Sequence, residues 1–425
     1  MDKLKAFIYK SLRKLEPHAK TDMVYATKSG FWLVTNQVFG ALVSLVLSIL
    51  FAHFLSKETF GIYKYIISLA GIATAFSLTG VNAAVIRGVA QGYDGVLKQS
   101  IRVQALWCIP QFLFSFVLAL YYFYNGNSVY GICFIIICIA SPITGIANTY
   151  TAFLNGKKDF RTFTFFNMGS NALYFVAMAT ISIWSADVIL LITGYFVSVM
   201  IANTYFCWRA LYRYPRANNL TRTEDMPYAK SLSVMNIGST IAQHVDNIVI
   251  FHFMGSAQLA IYSFATIIPE RIRSMFGIIS TAALPKLAEK NADETTARRT
   301  RAGIRPKVFR LILLAIVIII LYIVAAPYIF YMLFPQYAGS IVYSQVFSLC
   351  ILVIASYIPV PALFAGRKQK ELNIINVGLP VARIIVSIGA IIIFGIWGAI
   401  FTKIGYYLLL VVVSSHFASR APRSV

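Results

Sequence analysis

Charged residues inside long apolar runs are the first candidates for chemistry in this sequence. A charge at mid-membrane depth costs about 2.5–3.5 kcal/mol on insertion scales, so it normally faces a wet cavity or an opposite charge. Four of these residues are basic and two are acidic, which favours a cationic cavity for an anionic ligand. The six are Asp246, Glu270, Arg271, Arg273, Arg383 and Lys403.

The acidic residues are candidates for coupling transport to protons or cations. Asp246 lies in Gln243-His244-Val245-Asp246-Asn247, and Glu270 follows Pro269. Carboxylates bind cations, and the imidazole of His244 titrates near neutral pH, so His244 is included in the coupling set. The alternative is structural: Asp246 is a buried salt-bridge or hydrogen-bond partner that stabilises its helix bundle.

The basic residues are candidates for binding an anionic headgroup. Glu270 and Arg273 are three residues apart and can pair on one helix face, whereas Arg271 lies about 100° away around the helix. Arg383 and Lys403 have no acidic neighbour within a turn, and a guanidinium fork suits two phosphate oxygens. The alternatives are pairing across the bundle with Asp246 or Glu270 and, for Lys403, reaching to the membrane interface.

Two further cations occupy matched positions at helix ends. Arg87 and Lys286 are predicted at the cytoplasmic ends of helices 2 and 8, where they either receive a substrate at the inner leaflet or only set topology. Uncharged polar residues also recur within apolar runs, where they bond neighbouring helices or line a sugar path. They are Asn36, Gln37, Asn82, Asn148, Asn167, Asn171, Asn236, Asn247, Gln345 and Asn376.

The elements that position these residues are membrane-spanning helices. Hydrophobic residues make up 59% of the 425, charged residues only 12%, and the mean hydropathy is +0.73, which excludes a soluble domain. We predict twelve helices in two six-helix lobes, 30–211 and 231–418, flanked by a basic segment 1–29, a linker 212–230 and a tail 419–425. The helices are predicted near 30–54, 62–82, 103–124, 130–153, 162–184, 188–211, 231–254, 259–281, 311–334, 340–365, 372–394 and 397–418.

The charge distribution predicts the orientation. The net charge is +22, and most of the 37 lysines and arginines lie in loops on one side, so we expect both termini to be cytoplasmic. This pattern argues against a nucleic-acid partner. Residues 1–29 are expected to form a basic amphipathic helix on the membrane surface or, equally, a frayed tail.

The two halves resemble each other in sequence. His53-Phe54-Leu55 through Phe60-Gly61-Ile62-Tyr63 aligns with His252-Phe253-Met254 through Leu259-Ala260-Ile261-Tyr262, 199 residues later. Gly156-Lys157-Lys158 recurs as Gly366-Arg367-Lys368. Because each half contains six helices, both start on the same side and the repeat is parallel, with its pseudo-two-fold axis along the membrane normal.

These segments carry a family resemblance. Phe60-Gly61-Ile62-Tyr63, Asp246-Asn247-Ile248-Val249-Ile250 and Leu154-Asn155-Gly156-Lys157-Lys158 resemble the polysaccharide-transport branch of the multidrug/oligosaccharidyl-lipid/polysaccharide exporter superfamily. The resemblance implies a V-shaped, all-α, MATE-like transporter in the bacterial inner membrane. It further implies that an undecaprenyl-pyrophosphate-linked oligosaccharide is flipped to the periplasmic leaflet for O-antigen, lipopolysaccharide or exopolysaccharide assembly. Implied partners are membrane lipids, a polysaccharide polymerase and other assembly proteins.

Enzymatic motifs are missing from the sequence. It contains no Walker A, HExxH, GxSxG or CxxC motif, so we predict neither an enzyme nor a cofactor or metal site. Cys108, Cys133, Cys138, Cys207 and Cys350 lie in apolar runs and are read as buried core residues. The alternative function is a cation-coupled drug extruder of the same fold, which would need an anionic cavity.

Overall fold

The computed structural model describes residues 23–214, 220–221, 225–277, 304–365 and 369–419, which form helices and short turns without a strand. The expected amphipathic N-terminal helix, Lys286 and most of the basic loop around it lie outside these ranges. The N-terminal half contains α1 Met23–Phe54, α2 Lys57–Ala75, α3 Val81–Ala90, α4 Val96–Trp107, α5 Ile109–Tyr124, α6 Ser128–Ala147, α7 Thr149–Gly156, α8 Phe160–Trp184 and α9 Val188–Arg213.

The C-terminal half repeats this order. It contains α10 Asp225–Met254, α11 Ser256–Met275, α12 Ile304–Leu333, α13 Ile341–Phe347, α14 Pro359–Ala365, α15 Gln369–Asn373, α16 Leu379–Phe394 and α17 Ile396–Ser419. Two 3-10 segments (Pro335–Ser340 and Ser348–Tyr357) flank α13, and a π-helical turn (Ile374–Gly378) precedes α16. Helix α2 begins at Lys57 and α11 at Ser256, so the helix starts reproduce the 199-residue sequence offset.

The helices form a polytopic membrane protein. Eight described stretches are long and apolar enough to cross a bilayer, and four more polar helices complete the expected twelve passes: α2, α8, α10 and α11. Large apolar side chains are exposed all around the bundle, as at Leu106, Leu321 and Ile393, which a lipid environment explains. The short turns lie on one side of the bundle, called here the short-turn side, and the basic loops on the other, the basic side.

Side-chain caps start several helices at these turns. Ser56 accepts a hydrogen bond from the Thr59 amide at the start of α2, and Asp187 accepts from Ile189 and Leu190 at the start of α9. The matching turn before α11 uses Gly255 instead, whose φ of 86° lies in the left-handed region that glycine tolerates.

The two halves meet along α2, which packs against α10 and α11 of the C-terminal half. Gly61 lies so close to Ser256 that a Cβ would clash with the Ser256 backbone. Asn247 donates a hydrogen bond to Ser68 Oγ (2.8 Å), and the Gly80 amide donates to Ser233 Oγ (2.8 Å). Because Gly61 has no side chain, α2 can approach α11 closely, as is common between membrane helices.

Candidate functional site

A buried ion pair lies in the C-terminal half and joins α10 to α16. The Arg383 guanidinium contacts Asp246 Oδ2, and the two side chains are only 4% and 2% exposed. Ser387 Oγ donates to Asp246 Oδ1 (2.6 Å), and Tyr262 OH donates to Asp246 Oδ2 (3.2 Å). Burial of an unpaired carboxylate would be costly, and here the Asp246 carboxylate accepts bonds on both oxygens.

The second carboxylate of this region is shared between two cations. Arg273 donates to Glu270 Oε2 through Nε (2.7 Å) and Nη2 (2.6 Å), as its i,i+3 spacing predicts. Lys403 Nζ lies 3.1 Å from Glu270 Oε1, and Tyr407 OH donates to the same oxygen (3.2 Å). We call Asp246, Glu270, Arg273, Arg383 and Lys403 the charge cluster.

The charge cluster gathers five of the predicted site residues. Arg273, Arg383 and Lys403 each contact a carboxylate. Arg273 pairs within its own helix, whereas Arg383 and Lys403 pair across the bundle, as the alternative interpretation of these cations predicts. His244 lies on the edge of this region, where its ring meets α2 at Gly71. Arg271, although it lies between Glu270 and Arg273 in sequence, points elsewhere.

A polar cavity of about 630 Å³ lies in the N-terminal half. It is bounded by α1, α2, α6, α8 and α9 and by one face of α11 from the other half. None of its lining residues is acidic. The polar ones are Asn36, Gln37, Ser44, Ser48, Lys64, Thr144, Asn148, Asn167, Ser170, Asn171, Asn203 and Arg271, with the tyrosines Tyr63, Tyr174 and Tyr195 among them.

Two cations line this cavity without an ion pair to any carboxylate that the structure describes. Arg271 reaches from α11 to donate to Ser44 Oγ on α1, across the boundary between the halves. Lys64 enters from α2, and its Nζ lies 5.5 Å from the centre of the Phe60 ring. Uncompensated cations in a water-accessible membrane cavity attract anions, because no fixed negative charge there competes.

Aromatic rings pack together on the short-turn side of the cavity. Phe60 of α2 packs on Phe264 of α11, with ring centres 4.8 Å apart, and Phe264 stacks on Tyr337 at 3.7 Å. Nearby, Tyr65 stacks on Phe251 of α10 at 3.9 Å. We call Phe60, Phe264 and Tyr337 the aromatic seal.

The basic side carries a different kind of ionic contact, outside the membrane-spanning segments. Lys157 pairs with Asp94 (2.6 Å), and Asp159 caps α8 at the Thr162 amide (3.1 Å) while accepting from Tyr214 OH (2.8 Å). Burial raises the pKa of Asp159, but bonds from Thr162 and Tyr214 and the charge of Arg213 outweigh it and hold the pKa below its usual 3.8. Arg87 lies exposed near this side at the end of α3.

Comparison with known proteins identifies the family. The family model described as polysaccharide biosynthesis protein matches residues 26–291. The chain belongs to this family. No curated protein sequence matches the chain. The family membership confirms the predicted polysaccharide-transport resemblance and agrees with the multi-pass membrane fold.

Solved structures similar to this family member share its fold. A multidrug resistance MATE family transporter of the MOP superfamily in an outward-facing conformation has a TM-score of 0.61 at 13% identity, covering 92% of this chain and 94% of that one. The lipid II flippase MurJ in an inward closed conformation has a TM-score of 0.62 at 12% identity, covering 91% and 87%. The predicted MATE-like, all-α fold is therefore confirmed.

Sequence reasoning did not single out two groups of cavity residues. Lys64 is not among the predicted site residues, although a lone lysine inside an apolar helix is itself a signal. Asn203 and the three tyrosines carried no signal, because asparagine and tyrosine are common in membrane helices. Of the ten polar span residues noted, five line this cavity: Asn36, Gln37, Asn148, Asn167 and Asn171.

Proposed function

We propose that this protein is a flippase that moves a lipid-linked oligosaccharide, joined to its lipid through pyrophosphate, across the bacterial inner membrane by alternating access. The cargo would pass from the cytoplasmic to the periplasmic leaflet and supply surface polysaccharide assembly. Family membership supports the polysaccharide assignment, and the MATE and MurJ folds support alternating access. Both termini would be cytoplasmic, and a polysaccharide polymerase and other assembly proteins would act on the product.

The observation that carries this proposal is the polar cavity with its two cations and without a lining carboxylate. Lys64 and Arg271 suit the two negative charges of a pyrophosphate diester, since guanidinium and ammonium groups bind phosphate oxygens strongly. An extruder of cationic drugs would need acidic lining groups in the same place. The cavity chemistry therefore favours the flippase over the drug extruder.

Arg271 would serve binding and movement together. Its bond to Ser44 joins the halves. An ionised phosphate competes with a serine hydroxyl for the guanidinium, because it adds charge–charge attraction and can accept two parallel N–H bonds. Substrate binding would thus release α1 from α11, and release at this contact would favour rearrangement of the halves.

Ion coupling, if it occurs at the charge cluster, would require an exchange of partners. Asp246 and Glu270 are each held by basic groups, so a proton or metal cation would have to displace Arg383, Arg273 or Lys403 from them. His244 is adjacent to this region and to α2, which leaves it a candidate for the same role. Arg87 and Lys286 remain candidates for receiving the substrate at the inner leaflet.

The test is reconstitution of the full purified chain in liposomes. A fluorescent polyprenyl-pyrophosphoryl-N-acetylglucosamine is placed in the bilayer, and its exposure on each leaflet is followed with a membrane-impermeant quencher. We expect the chain to accelerate the exchange between leaflets, and Lys64→Ala/Arg271→Ala to abolish the acceleration while remaining folded.

The parallel test in cells is deletion of the gene. Polyprenyl-linked repeat units should accumulate on the cytoplasmic side, and surface glycan should fall. Normal surface glycan together with new sensitivity to cationic drugs would overturn the flippase in favour of the drug extruder.

A further inference from the structure

We infer that the polar cavity has two chemically distinct ends, and that its amide-lined end, away from Lys64, holds uncharged sugars bearing hydroxyl or acetamido groups. This inference rests on the proposed function and specifies its substrate. The site would distinguish neutral from acidic glycans at the sugars nearest the pyrophosphate.

The positions along the helices separate the two ends. At a rise of about 1.5 Å per residue, Lys64 lies about 10 Å along α2 from its start, and Ser44, which holds Arg271, lies about 15 Å from the end of α1. Asn36 and Asn167 lie about 25–27 Å from the same short-turn side along α1 and α8. The amide end is thus on the order of 10 Å further from the short-turn side, comparable to the length of a disaccharide.

The amide end has spare hydrogen-bond acceptors. Asn36 Oδ1 is buried without a hydrogen-bond partner among the described residues. Asn167 donates through Nδ2 to the Phe163 carbonyl (2.9 Å), which leaves its Oδ1 without a described donor. A buried acceptor without a donor is costly, so Asn36 Oδ1 calls for a ligand that donates, and Asn167 Oδ1 offers a second acceptor beside it. Sugar hydroxyls and acetamido N–H groups donate, whereas the oxygens of an ionised phosphate diester only accept.

The charges that line the cavity place a second limit on the substrate. Lys64 and Arg271 match the two charges of a pyrophosphate diester and leave no lining cation for another anion. A uronic acid carboxylate in the amide end would have no cation to pair with, and an unpaired buried charge is strongly unfavourable. Neutral sugars avoid this penalty, and the amides supply both donors and acceptors to them.

The ligand has room beside α1. A Cβ placed on Gly40 would approach only Asn171 Nδ2, at 3.7 Å, which is an ordinary van der Waals contact. The cavity therefore extends to the backbone of α1 between the cationic and amide ends.

The experiment measures binding of three soluble pyrophosphate diesters to the full purified chain by calorimetry: farnesyl pyrophosphate capped with a methyl group (farnesyl pyrophosphate below), farnesyl-pyrophosphoryl-N-acetylglucosamine and farnesyl-pyrophosphoryl-glucuronic acid. We expect the neutral sugar to tighten binding about tenfold over the sugar-free probe, as two net hydrogen bonds would. The acidic sugar should bind no tighter than the sugar-free probe.

The variant Asn36→Leu/Asn167→Leu should lose the tenfold preference and keep its affinity for farnesyl pyrophosphate. Asn36→Gln/Asn167→Gln retains the amides and should recover part of the preference, which separates ligand contact from misfolding. Asn82→Leu/Asn236→Leu is the matched control, because neither residue lines the cavity, and it should behave like the unchanged chain.

Two results would overturn this inference but not the proposed function. In one, the Leu pair weakens binding of the sugar-free and neutral probes equally; in the other, the acidic and neutral probes bind with equal affinity. The proposed function fails differently. Either none of the three probes binds, or Lys64→Ala/Arg271→Ala leaves the affinity for farnesyl pyrophosphate unchanged.

Discussion

The polar cavity and the charge cluster occupy related places in the two halves of a repeated fold, yet they use polar residues in opposite ways. At the 199-residue offset, Asp246 corresponds to Leu47 and Glu270 to Gly71, while Tyr262 corresponds to Tyr63. The C-terminal half fills its interior with charges that pair with one another. The N-terminal half leaves its interior open and lines it with amides and tyrosines.

The difference teaches that charge alone does not identify a binding surface in a membrane protein. Arg273, Arg383 and Lys403 pair with carboxylates, whereas among the described residues the Arg271 guanidinium bonds to a serine hydroxyl. We therefore propose separate tasks for two arginines that are two residues apart. The following substitutions test this division, beginning with the largest expected effect.

Asp246→Ala should be the most destabilising change, because it leaves the Arg383 guanidinium buried without its partner. Removing one member of a buried pair typically costs about 3–5 kcal/mol. The measurement is the free energy of unfolding in detergent. The double variant Asp246→Ala/Arg383→Met should recover much of the loss, and a single variant as stable as the unchanged chain would contradict a structural role for this pair.

Arg271→Ala should reduce transport by about tenfold or more, since loss of a charged contact to substrate costs about 2–5 kcal/mol. Its unfolding free energy should change by less than about 0.5 kcal/mol, as for a side chain exposed to water. Arg273→Ala is the matched control. Its main effect should be on the unfolding free energy rather than on transport, because Glu270 then keeps only Lys403 and Tyr407. The reverse ranking would mean that the two arginines have been assigned the wrong roles.

Gly61→Ala should weaken the contact between the halves, because its Cβ would clash with the Ser256 backbone. Overpacking of this kind costs about 1–3 kcal/mol. The measurement is the accessibility to a labelling reagent of a cysteine introduced at the aromatic seal, which increases as the short-turn side opens. Gly40→Ala, the same substitution on the cavity wall, should have no such effect, whereas Gly40→Leu should fill the cavity and reduce transport.

Asp159→Asn should have the smallest effect, about 0.5 kcal/mol or less at neutral pH, because asparagine is also a good N-cap residue. The pKa of Asp159 is lowered in the folded chain, so its charge stabilises the fold above the unfolded-state pKa. That contribution disappears as the pH falls through the still lower folded pKa. Unfolding curves at several pH values should therefore converge for the two chains in acid.

Much of the fold was predictable from the sequence because hydrophobic length is a local property. The runs near 103–124 and 397–418 appear as parts of Val96–Tyr124 and Ile396–Ser419, and the Glu270–Arg273 pair follows from helical spacing. The helices predicted near 62–82 and 259–281 begin earlier, at Lys57 and Ser256, and the first ends at Ala75 before α3 begins at Val81. The lobe boundary at 212–230 remains a prediction.

The cavity was less predictable because helix rotation and neighbour choice depend on packing far along the chain. Arg271 and Arg273 differ by two residues and face different halves, and no local pattern distinguishes the one that finds Glu270 from the one that reaches Ser44. Likewise, the pairing of Asp246 with Arg383 joins residues 137 positions apart. The sequence named both as candidates and left their pairing open.

The aromatic seal has a consequence for the cell that hosts this protein. A wet chamber reaching through most of a bilayer would short-circuit the membrane potential if water continued to the far side. Phe60, Phe264 and Tyr337 place three packed rings at that end of the cavity. We therefore expect an idle copy to dissipate no ion gradient, so that a cell could keep many copies waiting for cargo without losing the energy stored across its membrane.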